Sequence, residues 1–214
     1  ETYYENYSAG IFGTAAGGET VVNSTPESNI YEQDLDRNSA NFQPLTPLSF
    51  LPRAASVYPD RTAVIYDNIR YSYSDFYERC RRLASSLSKR GIGVGDTVSL
   101  MAPNVPALLE AHYGVPMSGA VLNALNHRLD GDTVAAILNH AGTKVLIADR
   151  EYAETVEHAL AKVDRDILVV AIEDPNVRGG NLRGAPDYEA LLAEGDPDFD
   201  WSYPEDEWQA LALN

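Results

Sequence analysis

Lys-Arg-Gly-Ile-Gly-Val-Gly-Asp-Thr-Val, residues 89–98, is the stretch on which the fold turns. Three glycines at alternate positions suggest a loop that cradles a dinucleotide. The context excludes it. A dinucleotide loop follows a strand and opens a helix, whereas this one follows a helix-like run and opens the β-branched segment 97–101. Glycine just past a helix end takes the left-handed conformation that stops the helix. The stretch therefore reads as a helix stop and a turn into a sheet.

Upstream, Phe76, Cys80, Leu83 and Leu87 recur at i, i+4, i+7 and i+11, one apolar face of a helix. Ser74 is its expected cap. Arg79, Arg81, Arg82, Lys89 and Arg90 lie off that stripe and read as a solvated face, the later ones favourable near the helix C-terminus. Before the helix, Thr62–Tyr66, a turn at Asp67-Asn68 and Arg70–Tyr73 read as a hairpin. Thr46 followed by Pro47 suits a helix start, with Leu48, Leu51 and Ala55 inward. Pro52 is expected to weaken or kink that helix.

Downstream, Asn104 is expected to cap a helix over 105–117, with Leu108, Leu109, Tyr113 and Val115 in the core and Pro116 at its end. A short strand follows at 120–122. Asp130 or Asp132 caps a helix over 133–140, closed by Gly142. Then come a strand at 144–148, a helix at 152–163, a strand at 167–172, a short helix at 188–192 and a last strand at 209–214. Strands and helices alternate after the hairpin. That pattern predicts an α/β fold, a doubly wound, mainly parallel sheet with helices on both faces. The hairpin is a candidate for a separate small sheet.

The formal charge is −16, unevenly spread. All sixteen Lys and Arg lie within 37–183, beside an equal number of acids, and both ends of the chain are acidic. This argues against nucleic-acid binding, which needs a basic stripe to displace counterions. The single cysteine, Cys80, cannot form an internal disulfide, and His112, His127, His140 and His158 show no metal-ligand spacing. No apolar run approaches the ~20 residues that span a bilayer, and the N-terminus lacks the layout of a signal peptide, so a cytoplasmic protein without a transmembrane segment is expected. Residues 1–28, rich in Gly, Ser, Thr, Glu and Tyr, read as a flexible acidic extension. Residues 29–214 read as the body.

Motif chemistry is sparse. There is no G-x-S-x-G elbow, no G-x-x-x-x-G-K-[ST] loop and no H-E-x-x-H pair. His127-Arg128 follows a strand end, where ligands bind in α/β sheets. Arg128 is the only basic side chain between Arg90 and Lys144, apart from the histidines. Its bland reading is a surface ion pair with Asp130 or Asp132.

Family likeness adds to this. Tyr-Ser-Tyr-Ser-Asp-Phe (71–76), the 89–98 stretch, Met-Ala-Pro-Asn-Val-Pro (101–106) and Gly-Ala-Val-Leu-Asn-Ala-Leu-Asn-His-Arg-Leu (119–129) occur in an order that resembles the N-terminal part of AMP-forming acyl-CoA synthetases. That superfamily also holds luciferases and peptide-synthetase adenylation domains. Leu125-Asn-His-Arg-Leu-Asp130 and the segment 206–214 look closest to medium-chain and methylthiopropionate-type acyl-CoA ligases and to plant acyl-activating enzymes.

The resemblance implies an incomplete N-terminal subdomain of the adenylate-forming fold, over residues 29–214. It implies a parent enzyme that uses ATP and Mg2+ to turn a carboxylic acid into an acyl-adenylate, which CoA then captures. The family's phosphate-binding loop is expected to begin about where the sequence reaches Asn214, so no catalytic or metal-binding residue is assigned within 1–214, and the segment alone is expected to be inactive. Asn126, His127 and Arg128 are implied to lie on the CoA-tunnel side. The remainder of the enzyme, or self-association, is the expected partner. A non-catalytic binding or scaffold module that keeps the fold is the other reading.

Overall fold

The computed structural model describes residues 31–213, apart from 32, 39, 178 and 183. The expected extension over 1–28, the start of the body at 29–30 and the final Asn214 lie outside the described residues. Residues 31–42 belong to the first of two units, and within them the Asn38 carbonyl accepts from the amides of Asn41 and Phe42.

From Gln43 the chain is a second unit. Thr46 accepts a hydrogen bond from the Leu48 amide and caps a short 3-10 turn, Pro47–Ser49, with Pro47 at its start. This runs into α1, Phe50–Val57. Pro52 stands in the first turn of α1, where an amide has no partner within the helix to lose. Strand β1, Thr62–Tyr66, and β2, Ile69–Ser72, form an antiparallel two-stranded sheet, with Asp67 left-handed (φ 47°) in the turn. The hairpin is thus a separate small sheet, as the sequence suggests.

Helix α2 spans Tyr73–Ser88. Its cap is Ser72 rather than Ser74: the Ser72 hydroxyl accepts from the Asp75 amide at 3.1 Å, and the Asp75 carboxylate accepts from the Ser72 amide at 2.9 Å. This reciprocal pair needs an acid three residues on, which Ser72 has. The stripe Phe76, Cys80, Leu83, Leu87 is buried as expected. Gly91 and Gly95, with φ of 75° and 84°, make the turn into β3, Thr97–Met101.

Helix α3, Pro106–Met117, departs from expectation. Val105 rather than Asn104 is its N-cap, Pro116 lies within its last turn, and Leu109 is 42% exposed while Glu110 is fully buried. Contact with α2 sets this rotation. Gly114 faces α2 so closely that a Cβ there would lie 2.9 Å from the Cys80 carbonyl oxygen. Glycine permits the approach, and the face centred on it turns inward.

The remaining elements are β4 (Val121–Ala124), α4 (Gly131–His140), β5 (Thr143–Asp149), α5 (Ala153–Leu160), β6 (Leu168–Ile172), α6 (Tyr188–Ala193) and β7 (Ala212–Leu213). Asp130, not Asp132, caps α4, and Gly142 (φ 63°) closes it. A 3-10 turn, Arg150–Tyr152, precedes α5. The last strand is two residues, shorter than 209–214. Five strands form one parallel sheet in the order β6-β5-β3-β4-β7. Residues on one sheet face, such as Leu100, Leu122 and Ile147, pack on α2, α3 and α6. Those on the other, such as Met101, Leu146 and Ala148, pack on α4 and α5. The fold is the expected doubly wound α/β sheet with helices on both faces.

Candidate functional site at the carboxyl edge of the sheet

Strand β3 connects onward to β4 and β5 to β6, in opposite directions from the centre of the sheet. Such a reversal opens a crevice at the carboxyl ends of the two strands. The loops that leave β3, β4, β5 and β6 gather at this edge.

All three residues singled out in the sequence lie on the loop after β4. Asn126 is exposed and turned onto its own loop, its side-chain oxygen accepting from the Arg128 amide at 3.0 Å. The His127 ring meets Tyr152, on the loop after β5, with ring centroids 5.5 Å apart and planes at 39°. Arg128 is exposed and forms an ion pair with neither Asp130 nor Asp132. Asp130 caps α4, accepting from the Asp132 and Thr133 amides, and the Asp132 carboxylate meets His158 and Lys162 at 2.5 Å each. The expected ion pair fails because both acids are already held by α4 and α5.

Two acids at this edge were not found from sequence. Asp149 ends β5 at 2% exposure; one carboxylate oxygen accepts from the Glu151 amide at 2.8 Å, and the other is buried without a partner. Burial pushes its carboxyl above the ordinary value, and the charges of Asp174 and Glu151 add to this. Asp174, beyond β6, accepts from the Asn176 amide at 2.9 Å and from the Tyr66 hydroxyl of β1. That bond, with burial behind it, raises the Tyr66 phenol. The one available signal was an acid directly after a buried apolar run, as in Ile147-Ala148-Asp149.

Tyr66, Asp174, Tyr71, Ile172, Tyr188 and Arg79 line a cavity of about 70 Å³. Arg79, read from sequence as solvated, is a wall of it. Its side chain is 17% exposed, and its guanidinium donates to Glu110 and to Glu189, each at 2.6 Å. Tyr188 donates to the other Glu110 oxygen at 2.8 Å. Burial raises the Glu110 carboxyl, and Arg79 and Tyr188 pull the other way. For Arg79 burial opposes the charge, but the two carboxylates outweigh it and hold the guanidinium charged.

Among the described residues, these groups are mostly committed to one another. Among the described residues no three carboxylate, imidazole or thiol groups converge. Arg128 is exposed on the loop after β4.

A doubly wound sheet with its loops gathered at the carboxyl edge places the chain among open-sheet α/β proteins. More narrowly, residues 51–206 match the AMP-binding enzyme family, and the chain belongs to that family. It is 44% identical over 192 residues to an acetate–CoA ligase of Humulus lupulus, an alignment covering 84% of this chain and 34% of that protein. Identity to a peroxisomal acetate/butyrate–CoA ligase of Arabidopsis thaliana is also 44% over 192 residues, covering 84% and 34%. The chain thus spans about a third of the length of these relatives. Among solved structures, an anthranilate CoA ligase bound to anthranoyl-AMP shares the fold (TM-score 0.73, 16% identity, 83% of this chain and 33% of that one). A putative long-chain-fatty-acid CoA ligase of Rhodopseudomonas palustris gives a TM-score of 0.65 at 26% identity, covering 79% and 41%.

Proposed function

We propose that this chain is the N-terminal portion of an ATP-dependent acid–CoA ligase, which joins a carboxylic acid to AMP with release of pyrophosphate and then passes the acyl group to CoA. The observation that carries the reading is 44% identity to an acetate–CoA ligase across 84% of the chain. ATP, Mg2+ and CoA are the proposed cofactors of the full-length protein. Residues 29–214 serve as scaffold, residues 1–28 as an extension to it, and Asn126, His127 and Arg128 as the CoA-tunnel side. Arg128 supports that last assignment, being exposed and held by neither neighbouring acid.

The test is ATP–pyrophosphate exchange by the full-length protein with acetate, butyrate and benzoate, followed by CoA-dependent release of AMP. Acid-dependent exchange is the expected result; its absence with all three acids points instead to a non-catalytic module. A cytoplasmic location is part of the proposal, although several relatives carry "peroxisomal" in their names. Diffuse rather than punctate fluorescence of a tagged full-length protein would support it.

Residues 1–214 alone are proposed to self-associate or to require the rest of the polypeptide. The half-exposed Leu213 on the two-residue strand β7 and the exposed Trp208 support this. Light scattering after size exclusion that finds a clean monomer opposes it.

A further inference from the structure

We infer that Tyr152 is a positioning residue for the CoA half-reaction: its ring braces His127 and so fixes the loop that presents Arg128. The inference rests on the tunnel-side reading above. On its own side the loop is already held at both ends. Asn126 closes a turn through its side chain onto the Arg128 amide and through its carbonyl onto the Leu129 amide, and Asp130 anchors the start of α4. Neither device fixes the direction of residues 127–128 relative to the crevice, because both are local to the loop. Leu125 and Leu129 seat the ends of the loop in the apolar layer with α4 and α5; between them, the contact that reaches across to the loop after β5 is His127 against Tyr152.

Tyr152 is itself fixed from below. It ends the 3-10 turn that begins at Asp149, whose buried carboxylate accepts from the Glu151 amide. Tyr152 also packs against the core between the sheet and helices α4 and α5. A chain of contacts therefore runs from the end of β5 through a rigid turn and an aromatic pair to the exposed arginine on the far side of β3. Losing the brace leaves Arg128 in place chemically but free to wander. That should weaken the capture of a phosphate-bearing ligand and leave the acid-activating step alone.

The full-length ligase and its Tyr152→Leu, Tyr152→Phe and Arg128→Ala variants separate the outcomes. Leucine keeps the contact with the core and removes the ring; phenylalanine keeps the ring. Expected is a rise in KM for CoA of about 2- to 10-fold in Tyr152→Leu, the worth of an aromatic pair. ATP–pyrophosphate exchange, which needs no CoA, should be unchanged, and Tyr152→Phe should be near wild type. An exchange rate that falls in step with the CoA reaction would mean a merely structural role and overturn the inference. If Arg128→Ala raises KM for CoA and Tyr152→Leu does not, the inference fails while the tunnel-side reading stands. If Arg128→Ala leaves KM for CoA unchanged, the reading itself fails, and the inference with it.

Discussion

Arg79 holds two carboxylates, and their burial decides what each is worth. Glu110 is fully buried; the Glu189 side chain is 63% exposed. An exposed ion pair contributes about 0–1 kcal/mol, because water already solvates both charges. Removing one partner of a buried pair leaves an uncompensated charge and costs about 3–5 kcal/mol. Arg79→Ala should therefore lower the unfolding free energy by several-fold more than Glu189→Ala, as read from urea midpoints. Equal losses would show that Glu110 is satisfied without the arginine. None of this was legible in the sequence. Glu110 lies 31 residues from Arg79 and Glu189 lies 110 away, so local periodicity placed Arg79 on a solvated face.

Helices and strands were legible where the signal was local. The stripe of α2 and the glycine turn into β3 depend on neighbours within a few residues, and both are as the sequence reads. Helix α3 was misjudged because its inward face is set by Gly114 against α2, a contact that no window along α3 contains. At the candidate site, the loop after β4 could be found from its place past a strand end. Asp149 left only the weak signal of an acid after an apolar run, and the pairing of Tyr66 with Asp174 left none, since those two meet only once the sheet and hairpin have folded.

The start of α2 supplies a pH test. The Asp75 carboxyl is held below its ordinary value, first by the Ser72 hydroxyl and then by the Ser72 amide. A depressed folded-state value means that the unfolded chain takes up the proton first. The stabilisation is thus present above the ordinary carboxylate value near 3.8 and lost as pH falls through the lower folded value. The stability gap between wild type and Asp75→Asn should be constant near neutrality and shrink below about pH 4. A gap that persists at the lowest pH tolerated would refute the charged form of the cap.

At the scale of the molecule, the five-stranded sheet shares two apolar layers, and every residue of β3 is buried. Layers joined through the same strands should unfold in one cooperative transition. Cys80 then acquires a use that has nothing to do with chemistry in the cell. It is the sole thiol, fully buried, with its sulfur 3.7 Å from the Glu110 carbonyl oxygen where α2 meets α3, and burial pushes its pKa well up. Thiolate reactivity requires exposure. The protein therefore carries its own stopwatch: alkylation of Cys80 times the parting of these two helices and ignores fraying elsewhere. Its rate should fall to a floor in native buffer and climb with urea in parallel with global unfolding, whereas fast labelling without denaturant would reveal a helix pair that opens alone.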